Sequence, residues 1–309
     1  MPGEFDFIRW IRSVTPAAPG VRVGPGDDCA VLDSPAGPLL VTTDVLTDGV
    51  DFLLAECGYR AVGRKAMAVN LSDIAAMAGT PLAAVVGVVF PHSGEPRPRG
   101  SGIPGELHLG LRELADAFGC PVVGGDTNGW AGGLVVSVTV LGTMKPGRKP
   151  VLRSGATPGD RVFVTGPCGG SILGRHLSPT PRLREADALA AFVDLHAMID
   201  ISDGLSKDLS HILEESGCGA VLVAERIPIH PDAVALAKTS GKTPLAHALG
   251  DGEDFELIFT VSETDAAKLR AASPVPVFEI GEIVTSGFWL EEGGVRSPLT
   301  ATGWAHEVG

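Results

Sequence analysis

Short apolar runs alternate along the chain with longer stretches in which small and apolar residues recur at helical spacing. This pattern predicts strands and helices in both halves of the sequence. The predicted strands are 39–41, 82–90, 121–123, 134–142, 159–166, 220–224 and 277–284. The predicted helices are 59–79, 107–118, 205–216, 231–239 and 264–272. Residues 91–105, rich in glycine and proline, are predicted to form a loop.

A change of composition near the middle of the chain marks a predicted domain boundary. Residues 144–159 contain three prolines and three glycines together with several basic residues. A chain of 309 residues is long enough for two domains with a large core. We therefore predict an N-terminal domain at 1–146 and a C-terminal domain at 147–309.

The charge balance narrows the classes of partner. The formal net charge is −13, from 24 Lys and Arg against 37 Asp and Glu, and there is no strongly basic run. We therefore expect no nucleic-acid partner. An acidic protein repels phosphate substrates unless cations intervene, so any nucleotide chemistry is expected to use divalent metal ions.

Cysteine usage and the apolar runs indicate the compartment. The five cysteines are widely scattered, with no C-x-x-C pair, which is typical of a reducing cytoplasm. The N-terminal residues lack the pattern of a signal peptide. The longest apolar run, 82–90, is too short to span a membrane. We expect a cytoplasmic protein with no membrane partner.

Acidic residues recur beside glycines or after apolar runs, and they are the candidate functional residues of this chain. The predicted strand 39–41 is followed by Thr42, Thr43 and Asp44, whose oxygens are hard ligands of the kind that magnesium prefers. In α/β proteins, ligands gather at the carboxyl ends of strands. The same pattern recurs at four other places, namely 26–28, 124–126, 200–203 and 250–256.

Each of these motifs also has a purely structural interpretation. An acidic turn is common on protein surfaces, and Ser202 or Asp203 could serve only as the N-cap of the helix that follows. Capping does not explain Asp200. Asp73 lies in an apolar helix, three residues after Asn70, where a carboxylate is costly unless it is paired or coordinated. We favour the interpretation of Asp73 as a metal ligand.

Two glycine-containing motifs bear on phosphate binding. Gly124 and Gly125 would let backbone N–H groups approach a phosphate, with Asp126 bringing a metal ion. By contrast, Gly241-Lys242-Thr243 only looks like the end of a P-loop. The glycine that this motif requires five residues earlier is Leu236, and Pro244 follows where a helix should begin.

Six motifs, in order along nearly the whole chain, resemble the thiamine-monophosphate kinase family. They are Gly26-Asp27-Asp28-Cys29-Ala30, Thr42-Thr43-Asp44, Asn70-Leu71-Ser72-Asp73, Gly124-Gly125-Asp126-Thr127, Asp200-Ile201-Ser202-Asp203-Gly204 and Gly252-Glu253-Asp254-Phe255-Glu256. This family belongs to a superfamily with aminoimidazole ribonucleotide synthetase, selenophosphate synthetase and a hydrogenase-maturation protein.

The resemblance implies a two-domain PurM-like fold, with a mixed-sheet α/β N-terminal domain and an α+β C-terminal domain. It also implies a homodimer formed through the N-terminal sheets, with ATP and several Mg²⁺ ions in a cleft that the C-terminal domain closes. The family reaction transfers the γ-phosphoryl group of ATP to thiamine monophosphate and gives thiamine diphosphate. No general base is evident, and the acceptor phosphate oxygen is already nucleophilic.

The resemblance also assigns roles to individual residues of this sequence. The implied metal ligands are Asp27, Thr42, Thr43, Asp44, Asp73, Asp126, Asp200 and Asp203, of which Asp44, Asp126 and Asp203 are expected to be catalytic. The residues expected at the nucleotide are His108, Gly125, Asp126, Arg153 and Ser202. The residues expected at the substrate are Asp51, Glu253 and Trp304.

Two of these positions depart from the family pattern and leave the acceptor open. Asp51 stands where the family has a histidine at the substrate, and His108 stands where it has a tyrosine at the nucleotide. An acid in place of the histidine would change the charge near the acceptor. A paralogue that phosphorylates another small molecule is therefore an alternative, as is a binding protein that holds nucleotide and metal without turnover.

Overall fold

Two β-sheets, one in each half of the chain, enclose a central helix. The computed structural model describes residues 12–14, 19–91 and 103–304. Most of the predicted loop 91–105 lies outside the described residues. Helices in the described residues are α1 Leu54–Ala76, α2 Ile103–Phe118, α3 Leu183–Phe192, α4 Leu205–Ser216, α5 Pro231–Ser240, α6 Pro244–Gly250 and α7 Glu263–Ala272.

The first sheet has six strands in the order β1-β2-β3-β6-β4-β5. Its strands are β1 Val21–Val23, β2 Ala30–Ser34, β3 Gly37–Thr47, β4 Thr80–Pro91, β5 Val122–Trp130 and β6 Val135–Thr143. Neighbouring strands are antiparallel except β4 and β5, which are parallel. The first half is therefore α/β with a mixed sheet, as predicted.

The second sheet has seven strands in the order β13-β12-β9-β11-β7-β10-β8. Its strands are β7 Arg161–Val164, β8 Ala197–Asp200, β9 Gly219–Val223, β10 Leu257–Val261, β11 Phe278–Val284, β12 Phe288–Glu292 and β13 Val295–Pro298. Only the pair β9 and β12 is parallel. With its helices between strands, the second half is α+β, as predicted.

Helix α1 is the element that both halves share. Its residues from Val62 to Ala76 are mostly buried, and it packs on β3, β4 and β6 of the first sheet and on β8 and α3 of the second half. One continuous apolar cluster includes Leu71 of α1 together with Met198 and Phe259 from the second sheet. Residues on α1 are therefore within reach of both halves of the chain.

Glycines let α2 lie directly against α1. A Cβ atom at Gly63 would lie 2.1 Å from the backbone oxygen of Leu107, and one at Gly110 would lie 2.0 Å from the backbone oxygen of Arg60. No side chain fits at either position. The backbones of the two helices therefore approach each other closely at these two glycines.

The structure corrects three predictions of local structure. Strand β3 does not end before Thr42 but continues to Thr47, and β5 runs through Gly125 and Asp126 instead of ending there. Alternating β-branched residues and nine-residue pairing with β6 keep β3 extended. Pro244 begins α6 instead of preventing it, because proline suits the first helical position and Thr243 caps the helix.

Candidate active site

Three carboxylates from separate elements meet between the two sheets. Asp28 precedes β2, Asp73 lies near the end of α1, and Asp200 ends β8. One carboxylate oxygen from each lies within 4.8 Å of the others. Asp28 and Asp200 are buried. The sequence predicted Asp73 and Asp200 as site residues, but among the paired acids of the first motif it favoured Asp27 over Asp28.

Asp44 and two hydroxyl groups complete this carboxylate cluster. Asp44 lies in β3, and a hydrogen bond joins its side chain to Asp73. Thr42, on the same face of the strand, also donates a hydrogen bond to Asp73. Ser72 Oγ donates to Asp200 Oδ2 at 2.5 Å. The cluster is thus defined as Asp28, Asp44, Asp73 and Asp200.

Asn70 holds the strand and the helix in register at this point. Its side-chain oxygen accepts a hydrogen bond from the backbone N–H of Asp44 at 3.1 Å, and its amide nitrogen donates to the backbone oxygen of Ala66 at 3.0 Å. The spacing of Asn70 and Asp73 therefore places one residue against the strand backbone and the other in the carboxylate cluster.

Burial makes these carboxyl groups hold protons more tightly than usual. Burial, and then the charge of Asp51, raises the pKa of Asp44 to about 6. Burial, and then the charge of Asp28, raises the pKa of Asp200 to about 7. Burial and the charge of Asp44 raise the pKa of Asp73 well above its usual range. Mutually repelling carboxylates with hydroxyl neighbours form a hard oxygen donor set that suits a divalent cation.

Arg153 closes the carboxylate cluster on one side. Its guanidinium group donates to both carboxylate oxygens of Asp28, at 3.2 and 3.0 Å, and its backbone N–H donates to Asp27 at 3.3 Å. Burial and the charge of Asp28 raise the pKa of Asp27 to about 7. Asp27 thus lies beside the cluster, where it accepts backbone N–H groups.

A cavity of about 1200 Å³ opens from the carboxylate cluster. Many of the residues that line this cavity are site residues predicted from the sequence. Those residues are Asp44, Asp51, Asp73, Arg153, Asp200, Ser202, Asp203, Glu253 and Trp304. The cavity is therefore lined by both halves of the chain and brings the expected metal, nucleotide and substrate residues together.

A second group of possible ligands lines the same cavity. One ligand atom from each of Asp203, Asp208 and His211 lies within 4.8 Å of the others. Asp208 is buried and accepts the backbone N–H groups of Asp203 and Gly204 at 3.0 and 2.9 Å. Burial, and then the positive charge of Arg153, lowers the pKa of His211 to about 4. Asp208 and His211 were not predicted as site residues, although their spacing of three places them on one face of α4.

The three expected substrate residues also line the cavity. Asp51 Oδ2 accepts the backbone N–H of Thr47 at 2.7 Å, so this carboxylate closes the turn after β3. The backbone N–H of Glu253 donates to the carbonyl oxygen of Ser202 at 2.7 Å, and that of Trp304 donates to the carbonyl oxygen of Asp203 at 3.0 Å. Backbone contacts with the 200–203 motif thus place Glu253 and Trp304.

Six expected site residues are not among the residues that line the cavity. Asp27 and Thr42 lie beside the carboxylate cluster, and the other four lie away from it. Thr43 lies on the opposite face of β3 from Asp44, where it donates to the backbone oxygen of Val138 at 3.1 Å. His108 is exposed on α2. Gly125 and Asp126 lie in the edge strand β5.

The face that Asp126 occupies follows from the strand register. Asp126 pairs with Gly87, which in turn pairs with Ser137. Asp44 pairs with Val138, which in turn pairs with Val86, so the two rows are one residue apart along β4 and β6. Successive strand residues point to opposite faces of a sheet. Asp126 is therefore on the outer face, and three strand spacings, roughly 14 Å, separate β5 from β3. Within one chain, Asp126 does not join the carboxylate cluster.

The acidic loop 250–256 is mostly occupied with structural contacts. Asp251 pairs with His247 at 2.8 Å, Asp254 with Arg175 at 3.0 Å, and Glu256 with Arg182. Asp254 and Glu256 are buried. Glu253 is the acid of this loop that contacts Lys65, at 2.5 Å, and lines the cavity. The sequence does not reveal this division because the arginines that pair with Asp254 and Glu256 are more than 70 residues away in the chain.

Comparisons with known proteins identify the family of this chain. The family models for the N-terminal and C-terminal domains of AIR synthase related protein match residues 26–144 and 157–288. A thiamine-monophosphate kinase of Rhodopirellula baltica (strain DSM 10527 / NCIMB 13988 / SH1) is 44% identical over 296 residues, which cover 93% of this chain and 91% of that protein. The chain belongs to the thiamine-monophosphate kinase family.

Two further relatives of this kinase family extend the match to the whole chain. The thiamine-monophosphate kinase of Caulobacter vibrioides (strain ATCC 19089 / CIP 103742 / CB 15) is 37% identical and covers 99% of this chain and 91% of that protein. The solved structure of AaThiL complexed with AMPPCP and TMP has a TM-score of 0.83 at 29% identity and covers 99% of this chain and 97% of that chain. These matches confirm the predicted two-domain PurM-like fold.

Among the described residues of this kinase family member, no helix combines the length and the apolar character needed to cross a membrane.

Proposed function

We propose that this protein is an ATP-dependent phosphotransferase that converts thiamine monophosphate to thiamine diphosphate. The observation that carries the proposal is the carboxylate cluster of Asp28, Asp44, Asp73 and Asp200 beside a cavity of about 1200 Å³. A chain of this family with that cluster has what phosphoryl transfer requires, namely metal ligands and a cavity that positions two phosphate groups.

We propose that the carboxylate cluster, with Asp203 across the cavity, holds Mg²⁺. Bound Mg²⁺ ions would neutralise the charge of the triphosphate and of the acceptor phosphate. Arg153 is fixed by its two hydrogen bonds to Asp28. It therefore keeps Asp28 in place and adds positive charge near the nucleotide. Ser202, on the segment between β8 and α4, lies where the two groups of acids meet.

Asp51, Glu253 and Trp304 are proposed to bind the acceptor. All three line the cavity, and Trp304 is 54% exposed, so its ring is accessible to a flat heterocycle. An oxygen of the acceptor phosphate is itself the nucleophile, so the chain needs to orient it rather than deprotonate it. Since the Asp51 carboxylate closes its own turn, an acid at this position is compatible with the same acceptor.

A coupled ADP-release assay with ATP and Mg²⁺, with and without thiamine monophosphate, tests this function. We expect ADP release that depends on the acceptor, with thiamine diphosphate as the product. A protein that binds ATP and Mg²⁺ but releases ADP only with another phosphorylated acceptor would be the paralogue. Binding without ADP release for any acceptor in the panel would indicate a non-catalytic nucleotide-binding protein.

We further propose a homodimer in which the second copy supplies Gly125 and Asp126. The outer face of the first sheet is uncovered in the described chain, with Val45 57% exposed and Val123 64% exposed. Such an apolar face on a sheet favours burial against a second copy. Asp126 lies on this face, away from its own carboxylate cluster, so a role for Asp126 at the nucleotide requires the partner.

Mixed dimers of two inactive variants test this arrangement. We expect Asp44→Ala and Asp126→Ala to be inactive alone. When the two are co-expressed, a mixed dimer would contain one site with both native aspartates, and activity should return to about a quarter of wild type. No recovery in mixed dimers that are shown to form would place Asp126 in the site of its own chain or outside the site altogether.

We also propose a cytoplasmic location and a domain boundary between the two sheets. The five cysteines are free thiols in the structure, which supports a reducing cytoplasmic location. We place the domain boundary at 146–147, in the segment between β6 and β7. Cell fractionation and limited proteolysis, respectively, would test these two proposals.

A further inference from the structure

A fully buried lysine contacts two of the cavity-lining residues that are proposed to bind the acceptor. Lys65 Nζ lies 2.5 Å from Glu253 Oε1 and donates a hydrogen bond to the backbone oxygen of Asp51 at 2.6 Å. The Lys65 side chain is 0% exposed, whereas that of Glu253 is 33% exposed. Because Asp51 belongs to the first half of the chain and Glu253 to the second, one ammonium group contacts both.

Stability alone does not account for this lysine. Removing an ammonium group from water is costly, and its attraction to one carboxylate often only offsets that cost. An apolar side chain would fill the same space between α1 and its neighbours at lower cost. The position of Lys65 against two expected substrate residues indicates a role in the site instead.

The backbone conformation around Glu253 is unfavourable and depends on stabilising contacts. Glu253 has φ +52° and Phe255 has φ +51°, values that are unfavourable for residues other than glycine. Hydrogen bonds from their N–H groups to Ser202 and Ile201, at 2.7 and 2.8 Å, hold this conformation. The strained backbone fixes the position of the Glu253 Cα atom, and the contact with Lys65 fixes the position of its carboxylate.

We propose that Lys65 is a positioning residue for recognition of the acceptor. It holds the Glu253 carboxylate and the turn after β3 in one arrangement, so that the acceptor end of the cavity is formed before the acceptor binds. It also balances the charge of Glu253, which would otherwise repel the acceptor phosphate. Because this role belongs to the kinase reaction, it rests on the proposed function.

Steady-state kinetics of Lys65→Met tests this role. We expect the KM for thiamine monophosphate to rise at least about tenfold while the KM for ATP stays within about twofold. Arg182→Met is the matched control, because Arg182 pairs with Glu256 of the same loop but does not line the cavity. This control should lower the melting temperature without separating the two KM values.

A double variant shows whether Lys65 acts through Glu253. If it does, Lys65→Met combined with Glu253→Gln should raise the KM for the acceptor no further than the more affected single variant. An unchanged acceptor KM in folded Lys65→Met, an equal rise in both KM values, or the same separation in Arg182→Met would overturn the role. If Lys65→Met does not fold, Lys65→Gln undergoes the same measurements with the same expected direction.

Amide hydrogen exchange without substrate separates this role from the proposed function. An inactive wild-type protein would count against the kinase activity and not against the contacts of Lys65. In Lys65→Met, we expect exchange to become at least about tenfold faster at both Glu253 and the turn at 49–51. In Arg182→Met, we do not expect exchange to become faster at both of these sites. Unchanged exchange at both sites in Lys65→Met would overturn the positioning role whatever the wild-type activity.

Discussion

At the scale of single residues, the strand alternation in β3 decides which oxygen atoms reach the carboxylate cluster. Thr42 and Asp44 face α1, where both contact Asp73, while Thr43 faces the other side of the sheet and bonds to Val138 and Thr139. Two adjacent threonines with the same chemistry thus have different surroundings. The sequence motif does not distinguish Thr42 from Thr43, but in the structure Thr42 donates to Asp73 and Thr43 donates to the backbone of Val138.

Asp44 and Thr43 therefore form a matched pair for mutagenesis. Asp44→Ala should lower kcat by about 10³-fold, because the loss of one metal ligand costs several kcal/mol of transition-state stabilisation. Thr43→Val should change kcat by no more than about twofold, since its hydroxyl bonds only within the sheet. Turnover and melting temperature of both variants provide the test. An active Asp44→Ala protein would show that the metal site lies elsewhere.

The raised carboxyl pKa values predict how pH affects stability and magnesium binding. Asp44 and Asp200 have pKa values of about 6 and about 7 in the folded chain, above the usual 3.8. Without metal, their contribution to stability is therefore present below pH 3.8 and is lost as pH rises through about 6 to 7. A bound cation favours the ionised carboxylates, so the affinity for Mg²⁺ should increase over this same range.

Thermal unfolding with and without Mg²⁺ checks this pH dependence. We expect Mg²⁺ to raise the melting temperature more at about pH 8 than at about pH 5.5. Asp44→Asn should reduce the increase at the higher pH. An increase of the same size at both pH values in the wild-type protein would contradict the raised pKa values.

At the scale of elements, the contact between α1 and α2 gives Gly110 a structural role. Gly110 follows His108 in a segment that the resemblance placed at the nucleotide, yet its Cα approaches the backbone of Arg60. Gly110→Ala should destabilise the protein by about 1–3 kcal/mol, because the helices must move apart. The KM for ATP should stay unchanged.

A matched glycine controls for the effect of the added methyl group itself. A Cβ atom at Gly24 would meet no atom within 4 Å, and Gly24 does not have a positive φ. Gly24→Ala should therefore leave the melting temperature unchanged within about 1 °C, whereas Gly110→Ala should lower it by several degrees. A rise in the KM for ATP in folded Gly110→Ala would instead indicate that this segment contacts the nucleotide.

Periodicity predicted the elements well, and it failed where strands carry polar residues. Helix α4 spans the predicted residues 205–216, because its apolar face and the glycine at 217 are local signals. Strands β3 and β5 extend beyond the predicted ends, since pairing with neighbouring strands keeps threonine, aspartate and glycine extended. Local sequence contains no information on such pairing.

The sequence was sufficient to predict which acidic residues belong to the site, but not how the site residues contact one another. Asp73 and Asp200 are surrounded by apolar residues, so their sequence context already indicated an unusual carboxylate. Lys65 was not identified, because its partners lie at Asp51 and Glu253, and only folding brings these segments together. Long-range pairs of this kind are set by the tertiary structure and not by spacing along the chain.

At the scale of the whole molecule, the shared helix and the uncovered sheet face have separate consequences. Because α1 belongs to the core of both halves, the two sheets are held at a fixed relation around the carboxylate cluster. The opposite face of the first sheet is exposed, and it carries Asp126. A charge on that face should disrupt association without touching the cluster.

Val85→Glu is the substitution that separates these consequences. Val85 is 41% exposed on the outer face of β4, where a buried unpaired carboxylate in a dimer interface would cost several kcal/mol. We expect a monomer in sedimentation velocity, with a melting temperature near that of wild type at low protein concentration. Turnover should fall at least about tenfold, because the partner's Asp126 would no longer reach the site.

The control for added charge is Val234→Glu, on α5 in the other half of the chain. Val234 is 46% exposed, similar to Val85, but it belongs to a helix of the second half of the chain. This variant should remain dimeric and fully active. If Val85→Glu is monomeric and fully active, each chain contains a complete site, and the exposed position of Asp126 excludes it from catalysis. If Val85→Glu stays dimeric, the interface lies on another surface.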